Sequence, residues 1–411
     1  MDLQCDRSYG SCQSSDLESE QLENFHVQRN SESYEERSCC NILASGKLFR
    51  CLTKATGLWN PRKRRYAIPC GVFVLLNISS LVAEILIPSI CGPYLGRCMT
   101  QKSRVTNTTN DGSESKSPKM YGIIYGFVAW NAFSDVMTYI LLIYTLWRVQ
   151  RQMPLLCPTS AEAKVSSCEW LFINVMFILC SVAITVATSL RVSISKSSKM
   201  KFDSAFGLTV LIVYLTALIC SCMFAVLTCA LRSTVDVSFQ EICSMSHASL
   251  NDIIAVHRKL NGQIVTASHI LTPWFLVHWL MFGAYCFGVF AFDSLQFQVL
   301  THKFSSAHLT FQSVTFLLNF ALFLVPCVFA SRVTWRCEDI LVKLNNMSPR
   351  DCWNEGHPFH ERANVNTFLF YAERSRCGFR IRNLTFGSSG TWISVILGLL
   401  SLGIRIIQYI T

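Results

Sequence analysis

Three charged residues stand out within the long apolar runs of this chain: Glu84, Asp135 and Arg405. A charge at the centre of a bilayer costs about 2.5–3.5 kcal/mol on insertion scales, so each needs a partner, water or an escape to the surface. Asp135 follows Asn131 by four residues, which places both on one face of a helix. The pair suits a ligand-fixing or gating contact, and it equally suits an interhelical hydrogen bond that only holds packing. Glu84 also reads as a solvated carboxylate near an interface. Ser401, Arg405 and Gln408 are spaced by four and three, so they stack on one face with Ile404 beside them. Such a polar stripe should face protein or water.

Aromatic and polar residues gather at one depth of several runs: Tyr125 and Trp130 beside Asn131 and Asp135, then Tyr214, Tyr285, Phe311 and Gln312. A mostly apolar wall with a few polar fixing groups is what a small-molecule pocket needs. An interfacial aromatic belt has the same composition. The histidines show no metal spacing beyond His357-x-x-His360, which reads as a solvated loop pair. No Gly-rich phosphate loop, nucleophile elbow or paired carboxylate site appears, so the sequence points to no enzyme, no cofactor and no metal. Twenty cysteines are scattered without CxxC pairs. Those inside apolar runs, such as Cys220 and Cys327, behave as small hydrophobes. Cys91 and Cys98 are the one candidate disulfide, and Cys39, Cys40 and Cys51 are weak candidates for palmitoylation.

The elements that must position these residues follow from composition. Of 411 residues, 51% are hydrophobic and only 15% charged, against about 25% charged in a soluble domain. Residues 1–40 hold nine acids and three bases, so an acidic, largely disordered tail at 1–60 precedes a basic, apolar body at 61–411. Its bases lie beside apolar runs, which argues for a membrane partner and against nucleic acid. Seven runs are long enough to cross a bilayer, which takes about 20 residues. They span about 66–91, 121–147, 169–191, 205–232, 271–292, 307–333 and 391–410. Helices are the expected spanning form, because lipid offers the backbone no hydrogen-bond partner. The expected fold is thus an all-α membrane protein of seven transmembrane helices. The segments 233–270 and 334–390 read as cytoplasmic anchors. In the first, Ile253, Val256, Leu260 and Ile264 recur at helical spacing, so the fourth and fifth helices should extend beyond the membrane. In the second, Val365, Phe368, Leu369, Phe370 and Phe379 among bases predict a helix that packs between subunits.

Arg62, Lys63, Arg64 and Arg65 immediately precede the first run and place the N-terminus in the cytoplasm. Seven spans then put the C-terminus outside. The sequon at Asn107 falls in an outer, Ser/Thr-rich loop suited to glycosylation, while those at Asn346 and Asn383 fall inside. The rival reading is a G-protein-coupled receptor with the opposite orientation. Its markers are missing: no acid accompanies Arg191 at the end of the third run, and the seventh has no Asn-Pro-x-x-Tyr. A transporter is a further alternative, without the paired broken helices or repeats expected of one.

Three local patterns resemble the insect gustatory and odorant receptor superfamily. Gly57-Leu58-Trp59-Asn60-Pro61 is similar to that family's entry to its first helix, and Cys377-Gly378-Phe379-Arg380-Ile381 to its segment before the last. Ser401-Leu402, five residues and then Gln408-Tyr409 are similar to its Thr-Tyr…Gln-Phe, with Leu402 and Arg405 as departures. The topology matches over roughly 45–411. The resemblance implies a plasma-membrane, tetrameric ligand-gated cation channel, homo- or heteromeric, opened by a small molecule in an outer-half pocket. It implies that the last helix lines the pore, with Ser401, Ile404, Arg405 and Gln408 on the pore face, and that the cytoplasmic ends join the subunits. Four copies of Arg405 in a pore would repel cations.

Overall fold

The computed structural model describes residues 47–58, 66–82, 117–153, 165–197, 203–299, 306–382 and 384–387. In chain order they form α1 (Lys47–Ala55), α2 (Tyr66–Val82), α3 (Ser117–Gln152), α4 (Ser167–Ser197), α5 (Asp203–Ser244), α6 (Leu250–Val299) and α7 (Ser306–Asn346). The short α8 (Pro349–Cys352) follows, then a single 3-10 turn, α9 (Arg362–Ser375) and a two-residue antiparallel ladder, β1 (Arg380–Ile381) with β2 (Leu384–Thr385). The described residues are mostly helical, as expected, with this one small ladder besides.

Among the described residues, four helices have the length and composition to cross a membrane, lying in α4, α5, α6 and α7. They coincide with the third to sixth apolar runs. α2 is a shorter apolar helix on the first run, and α3 carries the second. The seventh run lies outside the described residues. The helices run past the apolar stretches: α5 reaches Ser244 and α6 begins at Leu250, so the polar segment between them is mostly helix. Its predicted stripe faces inward, with Ile253, Leu260 and Ile264 buried and Val256 half-buried.

Helix starts follow local chemistry. Ser166 and Glu169 exchange side-chain and backbone hydrogen bonds at the head of α4, and Ser249 and Asp252 do so at the head of α6. Glu169 also pairs with Arg232 of α5 at 2.9 Å.

α5 is the central helix, packed against α3, α4, α6 and α7. Its most apolar stretch is 83% buried, against 33% for that of α4. α4 turns Phe172, Leu179 and Val182 outward, and α2 does the same with Ile68, Val72 and Leu75. Outward apolar side chains on long helices are what a lipid surround requires. Gly57 joins α1 to this bundle at φ +76, where a Cβ would lie 2.5 Å from the Cys70 nitrogen. Tyr139 of α3 holds the same turn by donating to the Thr56 carbonyl at 2.8 Å.

Candidate functional site

Of the eight expected ligand residues, Tyr214 is the one whose side chain is described. Tyr125, Trp130, Asn131 and Asp135 lie on α3, Tyr285 on α6, and Phe311 and Gln312 on α7; their side chains lie outside the described residues. So do Glu84, Cys91, Cys98, Asn107 and the stripe of Ser401, Ile404, Arg405 and Gln408.

Tyr214 on α5 is buried and meets α7. Asn319 Nδ2 donates to its phenol oxygen at 2.8 Å and to the Thr315 carbonyl at 2.7 Å. Asn319 Oδ1 and the Thr315 hydroxyl are buried without a hydrogen-bond partner among the described residues. Close by in sequence, Thr216 donates to Asn77 Oδ1 of α2 at 3.1 Å. Ser134 of α3 donates to the Met281 sulfur of α6 at 3.3 Å. Rings lie along the same stretch of α7: Phe316 stacks on Phe320, and Phe323 stacks on Trp279 of α6. Neutral hydroxyl and amide groups beside aromatic rings can orient an uncharged small molecule.

A second polar contact joins α6 to α7. Pro326 has no N–H, so the carbonyl of Leu322, four residues earlier, loses its intrahelical donor. His278 replaces it, with Nε2 3.0 Å from that carbonyl. A carbonyl only accepts, so Nε2 is the donor in this contact. Trp274 stacks on the imidazole at 4.7 Å, and Phe282 lies 4.4 Å from it on the other turn. The histidine spacing in the sequence suggests a solvated imidazole at His278, whereas the structure buries it completely; Pro326 has no role in the sequence reading. A proline within one apolar run and a histidine within the facing run were the available signal.

The chain beyond α7 folds back onto α6 and α7. Thr334 Oγ1 of α7 accepts from the Phe379 N–H at 3.1 Å and donates to the Phe386 carbonyl at 2.9 Å. On α6, Ser268 Oγ accepts from the Arg380 N–H at 3.1 Å, and Thr272 donates to the Arg380 carbonyl at 3.0 Å. The Arg380 guanidinium covers the terminal carbonyls of α9, those of Ser375 and Arg376, where a cation meets the negative end of the helix dipole. Gly378 sits at φ +155, and a Cβ there would lie 2.7 Å from Thr334 Oγ1. These contacts give a structural reason for the Cys-Gly-Phe-Arg segment. Phe379 packs edge-on against Phe224 of α5 and Phe275 of α6. Farther along, Arg336 of α7 bonds Asp236 of α5 at 2.5 Å and Asp339 at 2.8 Å.

This region corrects one expectation. Phe368 and Phe379 are fully buried within their own chain, and Val365 nearly so, and cannot form a contact between subunits. On α9, Val365, Phe368 and Ala372 share the inward face, while Phe370 points away and is 69% exposed. His357 is not solvated either. It is buried, stacks on Trp353 at 4.3 Å, accepts from the Phe359 N–H at 3.0 Å and contacts the Ile242 carbonyl at 3.2 Å. Burial holds its imidazole below the usual range, partly offset by the Ile242 contact. His360 likewise spends Nδ1 on the Trp353 carbonyl at 2.9 Å.

The architecture has known counterparts. The insect olfactory receptor OR5 from Machilis hrabei, in complex with eugenol, superposes with a TM-score of 0.53 at 12% sequence identity, over 88% of this chain and 97% of the receptor. A second structure of the same receptor gives the same TM-score and identity over 89% and 97%. No family model matches the sequence, and no curated protein matches it. The chain therefore has the fold of an insect olfactory receptor. With its long apolar helices, that is the fold of a helical membrane protein.

Proposed function

We propose that this chain is a subunit of a chemoreceptor-type ligand-gated ion channel in the plasma membrane. The observation that carries the reading is the fold match, which runs through 97% of a receptor. The N-terminus is cytoplasmic, the last apolar run supplies the pore face of Ser401, Ile404, Arg405 and Gln408, and Asn107 is glycosylated outside. The ligand is small and uncharged. It meets Tyr214, Asn319 and Thr315, together with expected neighbours from Tyr125, Trp130, Asn131, Asp135, Tyr285, Phe311 and Gln312. Subunits associate, as a homo- or heterotetramer, through surfaces near the α9 end, where Phe370 and Val342 are exposed.

Current recording from cells that express the chain, against a panel of small neutral aromatics including eugenol, tests the reading. Ligand-evoked current is expected, with Asn319→Leu raising the half-activating concentration about tenfold, the effect of losing about 1.4 kcal/mol of binding. Surface-expressed protein that passes no current with any ligand would count against a channel. An epitope placed before Asp2 and reachable in intact cells would reverse the orientation and favour a G-protein-coupled receptor. For assembly, Phe370→Asp should shrink the detergent-solubilised particle without loss of helix content.

A further inference from the structure

Cys337 on α7 and Cys377 in the turn after α9 are forty residues apart in sequence, yet Cys337 donates to the Cys377 sulfur at 3.4 Å. Both side chains are buried, at 5% and 7% exposure. The approach is built by the backbone. Arg376 at φ 47 and Gly378 at φ +155 turn the chain sharply on either side of Cys377 and set it beneath α7. Thr334, one helical turn before Cys337, pins the same turn through Phe379 and Phe386. The two sulfurs need to close only from 3.4 Å to the disulfide length of about 2.05 Å.

We propose that Cys337 and Cys377 form a reversible disulfide site that a hydroperoxide closes, tying α7 to the β1–β2 hairpin. The Cys377 sulfur, already the acceptor of the thiol hydrogen bond, attacks one peroxide oxygen as the thiolate. The O–O bond breaks, a sulfenic acid forms on Cys377, and the departing hydroxide takes the proton released from that thiol to give water. The Cys337 sulfur then attacks the sulfenic sulfur, the S–S bond forms, and a second water leaves with the Cys337 proton. In sum, two thiols lose two electrons and two protons, and hydrogen peroxide is reduced to two waters. In the reducing cytoplasm such a bond is transient and reopens by thiol exchange. In sequence the hairpin precedes the last apolar run, and a change in current on oxidation is the expected consequence. The consequence for current and the cytoplasmic reopening of the bond rest on the channel reading above, whereas the covalent step does not.

The test uses the full-length protein in membranes, exposed to hydrogen peroxide. Remaining thiols are then alkylated after denaturation and the digest is mapped by mass. The peptides bearing Cys337 and Cys377 are expected as one linked species that a thiol reductant separates, absent in Cys337→Ser and in Cys377→Ser. The exposed Cys51 and Cys168 report that oxidant reached the protein. Oxidised Cys51 and Cys168 beside fully alkylated Cys337 and Cys377 would overturn the site. Peroxide is also expected to change ligand-evoked current at least twofold in wild type and in neither serine variant. A linked peptide with unchanged current would overturn the regulatory half. Absence of all current would instead refute the channel reading, because the peptide map needs none.

Discussion

Two regions of this molecule handle buried polar groups in opposite ways. Around Thr334, Ser268 and Thr272, small hydroxyls pin the backbone of the hairpin, and the donors and acceptors that meet there are matched. Around Tyr214 and Asn319, side chains bond to one another across helices and leave Asn319 Oδ1 and the Thr315 hydroxyl without partners among the described residues. A satisfied buried network rigidifies, whereas unmatched groups are costly and are the ones a ligand can satisfy. The contrast sets a matched, rigid hairpin end against an unmatched Tyr214 level, the level at which the proposed ligand would bind. The His278–Leu322 contact lies between them and belongs with the first kind, because it repairs a backbone group that Pro326 left open.

The comparison breaks most readily at Gly378. Gly378→Ala combines a backbone angle that disfavours any side chain with an overlap on Thr334. It should cost about 3 kcal/mol and detach the hairpin, read as a lower unfolding temperature in detergent and faster proteolysis after α9. Thr334→Val leaves the Phe379 N–H unpartnered at nearly unchanged volume and should cost about 2 kcal/mol by the same measurement.

His278→Phe sharpens the middle ground. With Pro326 present, the Leu322 carbonyl is left bare, for a cost of about 1–2 kcal/mol. In the Pro326→Ala background the introduced alanine supplies the missing N–H, and the same substitution should cost much less. Equal costs in the two backgrounds would show that His278 acts through packing alone.

The smallest expected effect is a pH dependence at the hairpin end. The Nδ1 of His357 accepts from an N–H, so a proton there would set donor against donor. Its affinity for protons is lowered in the fold, and the unfolded chain therefore takes up the proton first as pH falls below about 6.5. Stability from this group is full above that pH and is lost below it, and His357→Gln should flatten the slope of unfolding temperature between pH 7 and 5. By contrast, Tyr214 and Asn319 place no ionised group at the other level.

Much of the architecture was legible from patterns with one physical meaning. A run of apolar residues longer than a strand can use must be a helix, which located α4 to α7, and the spacing of Ile253, Leu260 and Ile264 announced the buried face of the α6 extension. The site was less legible. Tyr214 stood out as an aromatic at a suitable depth, but Asn319 was one polar residue in an apolar run, and the contact between them needs two helices at a particular rotation. His278 needed the kink in its neighbour to acquire a role. Phe368 was misjudged because an apolar residue among bases has the same signature on an outer face as on an inner one.

By itself, then, the sequence determined which segments are apolar helices and where bases cluster. The tertiary structure alone decided which apolar faces are inside. In a membrane protein, lipid and protein core are both apolar, so α4 and α5 are alike in composition while one is mostly outward-facing and the other mostly enclosed. Hydrophobicity drives a segment out of water but carries no preference between two oily surroundings. That choice comes from close packing and from hydrogen bonds such as Tyr214 with Asn319, which exist only once the helices meet.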